Sequence, residues 1–206
     1  MVTRRIISET MIKKERTEWP RTLLHTFTGL TIVLIYGLTN ISREQSLIIL
    51  GAVALFFLLG DLFRQFVPRV NRLAEKLFKG IIREEEKTKI ASTTYYVIGC
   101  WVAILIFPRL VASIAVLLLV VGDTSAKMIR EAKGRYFSLE AISGSFIICS
   151  LVAWLIFKVA EIPNAIVLSF LGALGASAAE TIPKIDNLAI PISSGILMTL
   201  GVYFIH

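Results

Sequence analysis

The sequence predicts an all-α integral membrane protein: a helical bundle of about seven transmembrane helices with its N-terminus in the cytoplasm. Three observations carry that expectation. Hydrophobic residues make up 55% of the 206-residue chain and charged residues only 18%, whereas a soluble domain holds roughly 45–50% and about 25%. Several apolar runs approach the roughly 17–25 residues that a helix needs to cross a bilayer. Lys and Arg alternate between rich and poor connections in the way that orients a multi-pass protein.

The spans follow in order at Thr22–Thr39, Gln45–Phe63, Ile90–Phe107, Leu110–Gly122, Ala141–Phe157, Pro163–Ala179 and Leu188–Ile205. The fourth is short, so it is expected to be tilted or to continue beyond Gly122. With the N-terminus inside, nineteen of the 22 Lys and Arg residues fall on cytoplasmic segments and three, Arg43, Arg109 and Lys158, on external turns. Residues 1–21 form a basic cytoplasmic arm without the pattern of a cleaved signal peptide. Residues 22–206 read as one transmembrane catalytic domain. Within it, residues 63–89 are a cytoplasmic amphipathic segment that can lie in the headgroup plane. Pro68 is expected to break or kink that segment.

A net charge of +7 would suggest nucleic acid in a soluble protein. Here the apolar content makes an anionic membrane surface or an anionic substrate the better reading, and no nucleic acid is expected. The apolar content excludes a disordered chain. Two cysteines, Cys100 and Cys149, form neither a disulfide framework nor a metal pattern. Soluble nucleotide motifs such as the P-loop and GxGxxG are absent.

Ionisable residues inside a span cost about 2.5–3.5 kcal/mol each at its centre. The candidates gather instead at one set of span ends. Asp61, Asp123, Glu180 and Asp186 all fall on the cytoplasmic side, joined by Arg21, His25, Arg64, Lys127, Arg130 and Arg135. If residues 122–135 are helical, Asp123, Ala126, Lys127, Arg130 and Gly134 share one face. That face offers a carboxylate suited to Mg²⁺, a hard cation with oxygen ligands, and cations suited to phosphate. Asp186 and Asn187 open the last span, where caps and anion-binding amides occur. Carboxylates at one surface also argue against a transporter, whose charges sit near the midplane.

These residues resemble the CTP-dependent lipid kinase family that includes dolichol kinase, phytol kinase and the fungal-type diacylglycerol kinase. Gly122, Asp123, Ala126, Gly134 and Arg135 match its G-D-x-x-A-x-x-x-G-x-x-x-G-[RK] hallmark, and Ser143-Gly144-Ser145 resembles the G-S end of the element that follows. Glu180 with Asp186-Asn187 and Pro191 matches an acidic residue followed by D-N-x-x-x-P. Arg21 and His25 resemble its R-x-x-x-H, and Asp61 and Arg64 its D-x-x-R. The order is kept from Arg21 to Pro191. Arg130 stands where the family usually has a glycine, and the lysine expected before the serine element is missing. Lys127, Arg130 or Lys133 is left to replace it.

The resemblance implies γ-phosphoryl transfer from CTP, with Mg²⁺, to the hydroxyl of a membrane lipid alcohol: dolichol or another polyprenol, a phytol-like alcohol, or diacylglycerol. It implies Asp123 and Asp186 as metal ligands, assisted by Asn187 or Glu180. Lys127, Arg130, Gly134, Arg135, Ser143, Gly144, Ser145 and Asn187 would surround the nucleotide. Asp61, Glu180 or His25 would orient or deprotonate the lipid hydroxyl, and Asp123 would act in catalysis. The alternatives are a membrane cytidylyltransferase, which attacks the α-phosphate to make a CDP-activated lipid, and a non-enzymatic transporter or scaffold.

Overall fold

A computed structural model describes residues 19–78, 81–82, 86–133, 139–182 and 185–205. Among these the chain forms eight helices: α1 (Trp19–Leu38), α2 (Arg43–Phe66), α3 (Pro68–Leu77), α4 (Ser92–Ile106), α5 (Arg109–Lys133), α6 (Leu139–Val159), α7 (Ala165–Glu180) and α8 (Asp186–Ile205). Five of them, α1, α2, α5, α6 and α8, are long and apolar enough to cross a membrane. The helices α4 and α7 are apolar but shorter. The seven expected spans therefore correspond to seven apolar helices, and the chain is a multi-pass membrane protein.

Local chemistry sets the boundaries. Ser42 and Gln45 form a reciprocal capping box that starts α2, satisfying two amides that would otherwise be orphaned. Pro68 occupies the first turn of α3, where its missing N–H costs nothing. The amphipathic stretch is thus divided there: α2 ends at Phe66 and α3 begins afresh. At the other end, Arg109 donates to the carbonyls of Thr39 and Ile41 and lies over the Tyr36 ring, while Arg43 donates to the carbonyls of Ile104 and Leu105. Two of the three external cations of the sequence model thus close helix C-termini.

The fourth span is not short. The helix α5 runs for 25 residues through Lys133, because its polar end continues the same helix past the apolar stretch. It is also the hub of the fold. Two thirds of its apolar stretch is buried, against 17–39% for the other long helices, and α1, α4, α6, α7 and α8 all pack on it. Its Ala112, Ala115, Leu118 and Leu119 are fully enclosed with Ile104, Phe157 and Met198. Between helices in lipid, such close packing and interhelical hydrogen bonds replace the hydrophobic effect as the source of cohesion. The helix α8 reaches α4 closely because a Cβ on Gly99 would lie 2.6 Å from the Asn187 carbonyl oxygen. The helix α2 packs mainly on α4 and stands at the periphery.

Candidate functional site

The antiparallel order of the helices gathers one end of the bundle from the starts of α1, α4, α6 and α8 and the ends of α2, α5 and α7. The described ionisable residues singled out for the site from the sequence belong to this end. They divide into three groups.

The first is built on α5. Asp123 is half-buried and makes no hydrogen bond or ion pair among the described residues, although it is close enough for its charge to act on Glu180 and Tyr96. One turn further on, the expected face fans out. Lys127 is buried, donates to Thr22 Oγ1 at 2.9 Å and stands 4.8 Å over the Trp19 ring. Arg130 turns the other way and pairs with Glu180, Nη1 to Oε1, at 3.0 Å. Two carboxylates and two cations from α5 and α7 therefore frame this corner. Gly134 and Arg135, the remaining part of the hallmark, lie outside the described residues. Ser145 is buried and donates to the Gly122 carbonyl at 3.4 Å, against the turn that carries Asp123. Ser143 is exposed and donates back to Leu139 within its own helix. Gly144 gives room to Ile129. Of the three residues of the serine element, only Ser145 faces the α5 corner.

The second group flanks the first. His25 is buried, contacts Thr93 Oγ1 through Nε2 at 3.2 Å and stacks on Tyr96 with centroids 4.5 Å apart. Tyr96 in turn donates to the His25 carbonyl at 2.7 Å. Thr26 and Thr124 meet hydroxyl to hydroxyl at 3.0 Å, and Trp19 donates to Glu131 at 3.0 Å. Asn187 is buried at the start of α8 and reaches the Ser92 carbonyl at 3.4 Å, while the Asp186 carboxylate accepts from the Asn187 N–H at 3.0 Å. Sequence reasoning passed over Thr22, Thr26, Thr93, Thr124 and Tyr96. A signal existed for two of them: Thr22 and Thr26 are four apart on α1 beside Arg21 and His25, a polar stripe in an apolar span.

The third group is a different kind of structure. Both oxygens of the buried Asp61 are engaged. One accepts from Arg64 Nε at 2.6 Å; the other accepts from the Ala91 N–H at 2.7 Å and from Thr94 Oγ1 at 2.6 Å. Arg64 also donates to the carbonyls of Glu86, Lys87 and Lys89 and to Asn71. Asp61 caps α4 at long range, and Arg64 ties down the connection that leads into it. Three of the roughly four acceptor positions of this carboxylate are thus taken by the protein itself.

Among the described residues no group of three His, Cys, Asp or Glu could hold a metal ion. Mg²⁺ needs less, since it keeps waters and is bound through one or two carboxylates plus phosphate oxygens. Asp123, half-buried and without a protein partner among the described residues, has the donor chemistry for such an ion.

No family model matches the chain, and no solved structure matches it significantly. The chain is similar to the CTP-dependent diacylglycerol kinase 1 of Schizosaccharomyces pombe, with 30% identity over 205 residues that cover 89% of this chain and 93% of that protein.

Proposed function

The chain belongs to the CTP-dependent lipid kinase family, and from that premise we propose that it transfers the γ-phosphate of CTP to diacylglycerol at the bundle end that carries Asp123, facing the cytoplasm. The observation that supports this most directly is the α5 corner. A carboxylate without a hydrogen-bond or ion-pair partner among the described residues, a second carboxylate paired with Arg130, and a buried lysine meet at this end of the bundle.

Phosphoryl transfer asks little covalent chemistry of a protein; catalysis is positioning and charge neutralisation. In this reading Lys127 and Arg130 meet the triphosphate. Lys127 is held in place by Thr22 and Trp19, and Arg130 by Glu180. The backbone amides at the start of α8, where Asn187 is fixed by Ser92, add dipole to the same charge. Mg²⁺ held by Asp123, with Asp186 or Glu180 assisting, would neutralise the β- and γ-phosphates. His25, aligned by Thr93 and Tyr96, is the group best placed to orient the lipid hydroxyl as it enters laterally between helices. Asp61 has a structural part.

The test uses purified protein in lipid nanodiscs with CTP labelled at either the α- or the γ-phosphate, ATP as the competing nucleotide, and diacylglycerol, a polyprenol and a phytol-like alcohol as acceptors. Label from the γ-position alone should appear in the lipid, with CTP preferred and diacylglycerol the best acceptor. Transfer of the α-label, or release of pyrophosphate, would replace the kinase by a cytidylyltransferase.

A further inference from the structure

The end of the bundle away from Asp123 holds a feature that the reaction does not use. Between α1 and α6, on the surface of α5, lies a cavity of about 670 Å³. The helices α1 and α6 both pack on α5 but share no substantial packing with each other, so the seam between them is left unfilled. Arg109, Ser113 and Leu117 of α5, each four residues from the next, run along the floor, with Val33 of α1 and Leu155 of α6 on the two walls. Gly37 and Ser113 meet at the base, where a Cβ added at Gly37 would lie 3.3 Å from Ser113 Oγ. The volume falls within the range of ligand sites, about 300–1,000 Å³.

The chemistry of the lining is graded along the groove. Arg109, at the start of α5, is exposed and is the charged residue among those that line it. Hydrogen bonds to the Thr39 and Ile41 carbonyls and the Tyr36 ring hold its guanidinium in place. A guanidinium carries five N–H donors, so others remain, and no carboxylate pairs with it among the described residues. Glu44 and Glu161, the acidic residues of this end, do not line the groove. Beyond Ser113 the lining is apolar: Val33, Ile114, Leu117 and Leu155. At a rise of about 1.5 Å per residue the floor runs about 12 Å from Arg109 to Leu117, close to the roughly 15 Å of one leaflet's hydrocarbon. The rim is open to lipid, with Leu38 78% and Val159 84% exposed. Packing is what holds membrane helices together, and an empty apolar seam forfeits it.

We propose that this groove binds a glycerophospholipid of the leaflet opposite the reaction site. Its phosphate stands at Arg109, and one acyl chain lies along Ser113, Ile114 and Leu117, sealing the seam between α1 and α6. The cation meets the phosphodiester at headgroup level, and the apolar walls take the chain below it. The site stands apart from the α5 corner and does not depend on the kinase reading.

Two measurements test it. A phosphatidylcholine carrying a diazirine toward the end of one acyl chain is photolysed with the purified protein in mixed micelles. Adducts should concentrate on Val33, Leu117 and Leu155. Unlabelled phosphatidylcholine should compete for them, and diacylglycerol with the same chains should compete about tenfold less well. Adducts spread evenly over exposed residues such as Ile49 and Leu151 mean annular lipid only and overturn the site. Equal competition by diacylglycerol takes the phosphate away from Arg109 and overturns it as well. The second measurement is the rise in melting temperature when phosphatidylcholine is added to protein in lipid-free detergent, since a ligand of the folded state stabilises it. Leu155→Trp extends an indole into the groove from a half-exposed wall position, and Arg109→Gln removes the cation. Arg109→Gln also loses the carbonyl contacts, so the rise on adding lipid is compared and not the starting temperature. Both variants should show a clearly smaller rise than wild type; a rise equal to wild type in either one overturns the site.

Discussion

Asp61 and Asp123 are both aspartates near the same end of the bundle, and their surroundings differ. Asp61 accepts three hydrogen bonds and neutralises a buried arginine. Asp61→Asn turns an amide N–H₂ toward Arg64 and leaves that guanidinium without its counter-charge, a loss of about 3–5 kcal/mol for a buried pair broken on one side. The expected result is a lower melting temperature, with the specific activity of the surviving protein largely kept. Asp123 has no partner to lose among the described residues, so Asp123→Asn should leave the melting curve nearly unchanged and remove activity. Retention of more than about a tenth of wild-type turnover, under 1.4 kcal/mol of transition-state stabilisation, would take the metal away from Asp123. Arg130→Gly probes the departure from the family hallmark. It removes the partner of Glu180 and one cation from the triphosphate, so the apparent affinity for CTP should fall several-fold. Unchanged affinity would show that Arg130 serves Glu180 alone. From sequence Asp123 was expected at the metal and Asp61 at the lipid hydroxyl; the structural bonds of Asp61 were not legible, because the Ala91 N–H and Thr94 lie about 30 residues away and are brought to it only by folding.

At the scale of the helix, apolar runs announced the elements well and their ends poorly. The break at Pro68 was legible because proline acts through its own ring. The continuation of α5 beyond Gly122 was legible too, from the shortness of its apolar run and the helical spacing of residues 122–135; how far it runs was not, because a hydropathy window closes at Gly122 while hydrogen bonding does not. The division of the α5 face between Lys127 and Arg130 was likewise hidden. Both side chains share a face by spacing, and only the neighbours, Thr22 on one side and Glu180 on the other, pull them apart. The helix α3 remains a readable case. Leu73 and Leu77 are exposed, as are Arg69, Arg72 and Lys76 of the same helix, the pattern of a helix lying in the headgroup plane. Nitroxides placed at Leu73 and Leu77 should collide more with oxygen, which is concentrated in lipid, than nitroxides at Arg72 and Lys76. Equal accessibility at all four positions would lift α3 off the membrane.

For the whole molecule, the direction of insertion decides whether the reaction end meets cytoplasmic CTP. The bundle carries most of its carboxylates and cations at one end, where the segments rich in Lys and Arg also begin and finish. That bias fixes orientation during insertion. The other end is poorer in charge, and two of its three cations, Arg43 and Arg109, are occupied with backbone carbonyls. Single cysteines can be placed at exposed sites: Thr88 and Thr181 at the reaction end, Glu44 and Lys158 at the other. The native Cys100 and Cys149 are fully buried and should stay silent. In sealed cells an impermeant thiol reagent should label Glu44→Cys and Lys158→Cys at once, and Thr88→Cys and Thr181→Cys only after the membrane is opened. Labelling in the reverse order would turn the bundle over and place Asp123 away from the cytoplasmic nucleotide pool, so the same experiment bears on the orientation and on the nucleotide together.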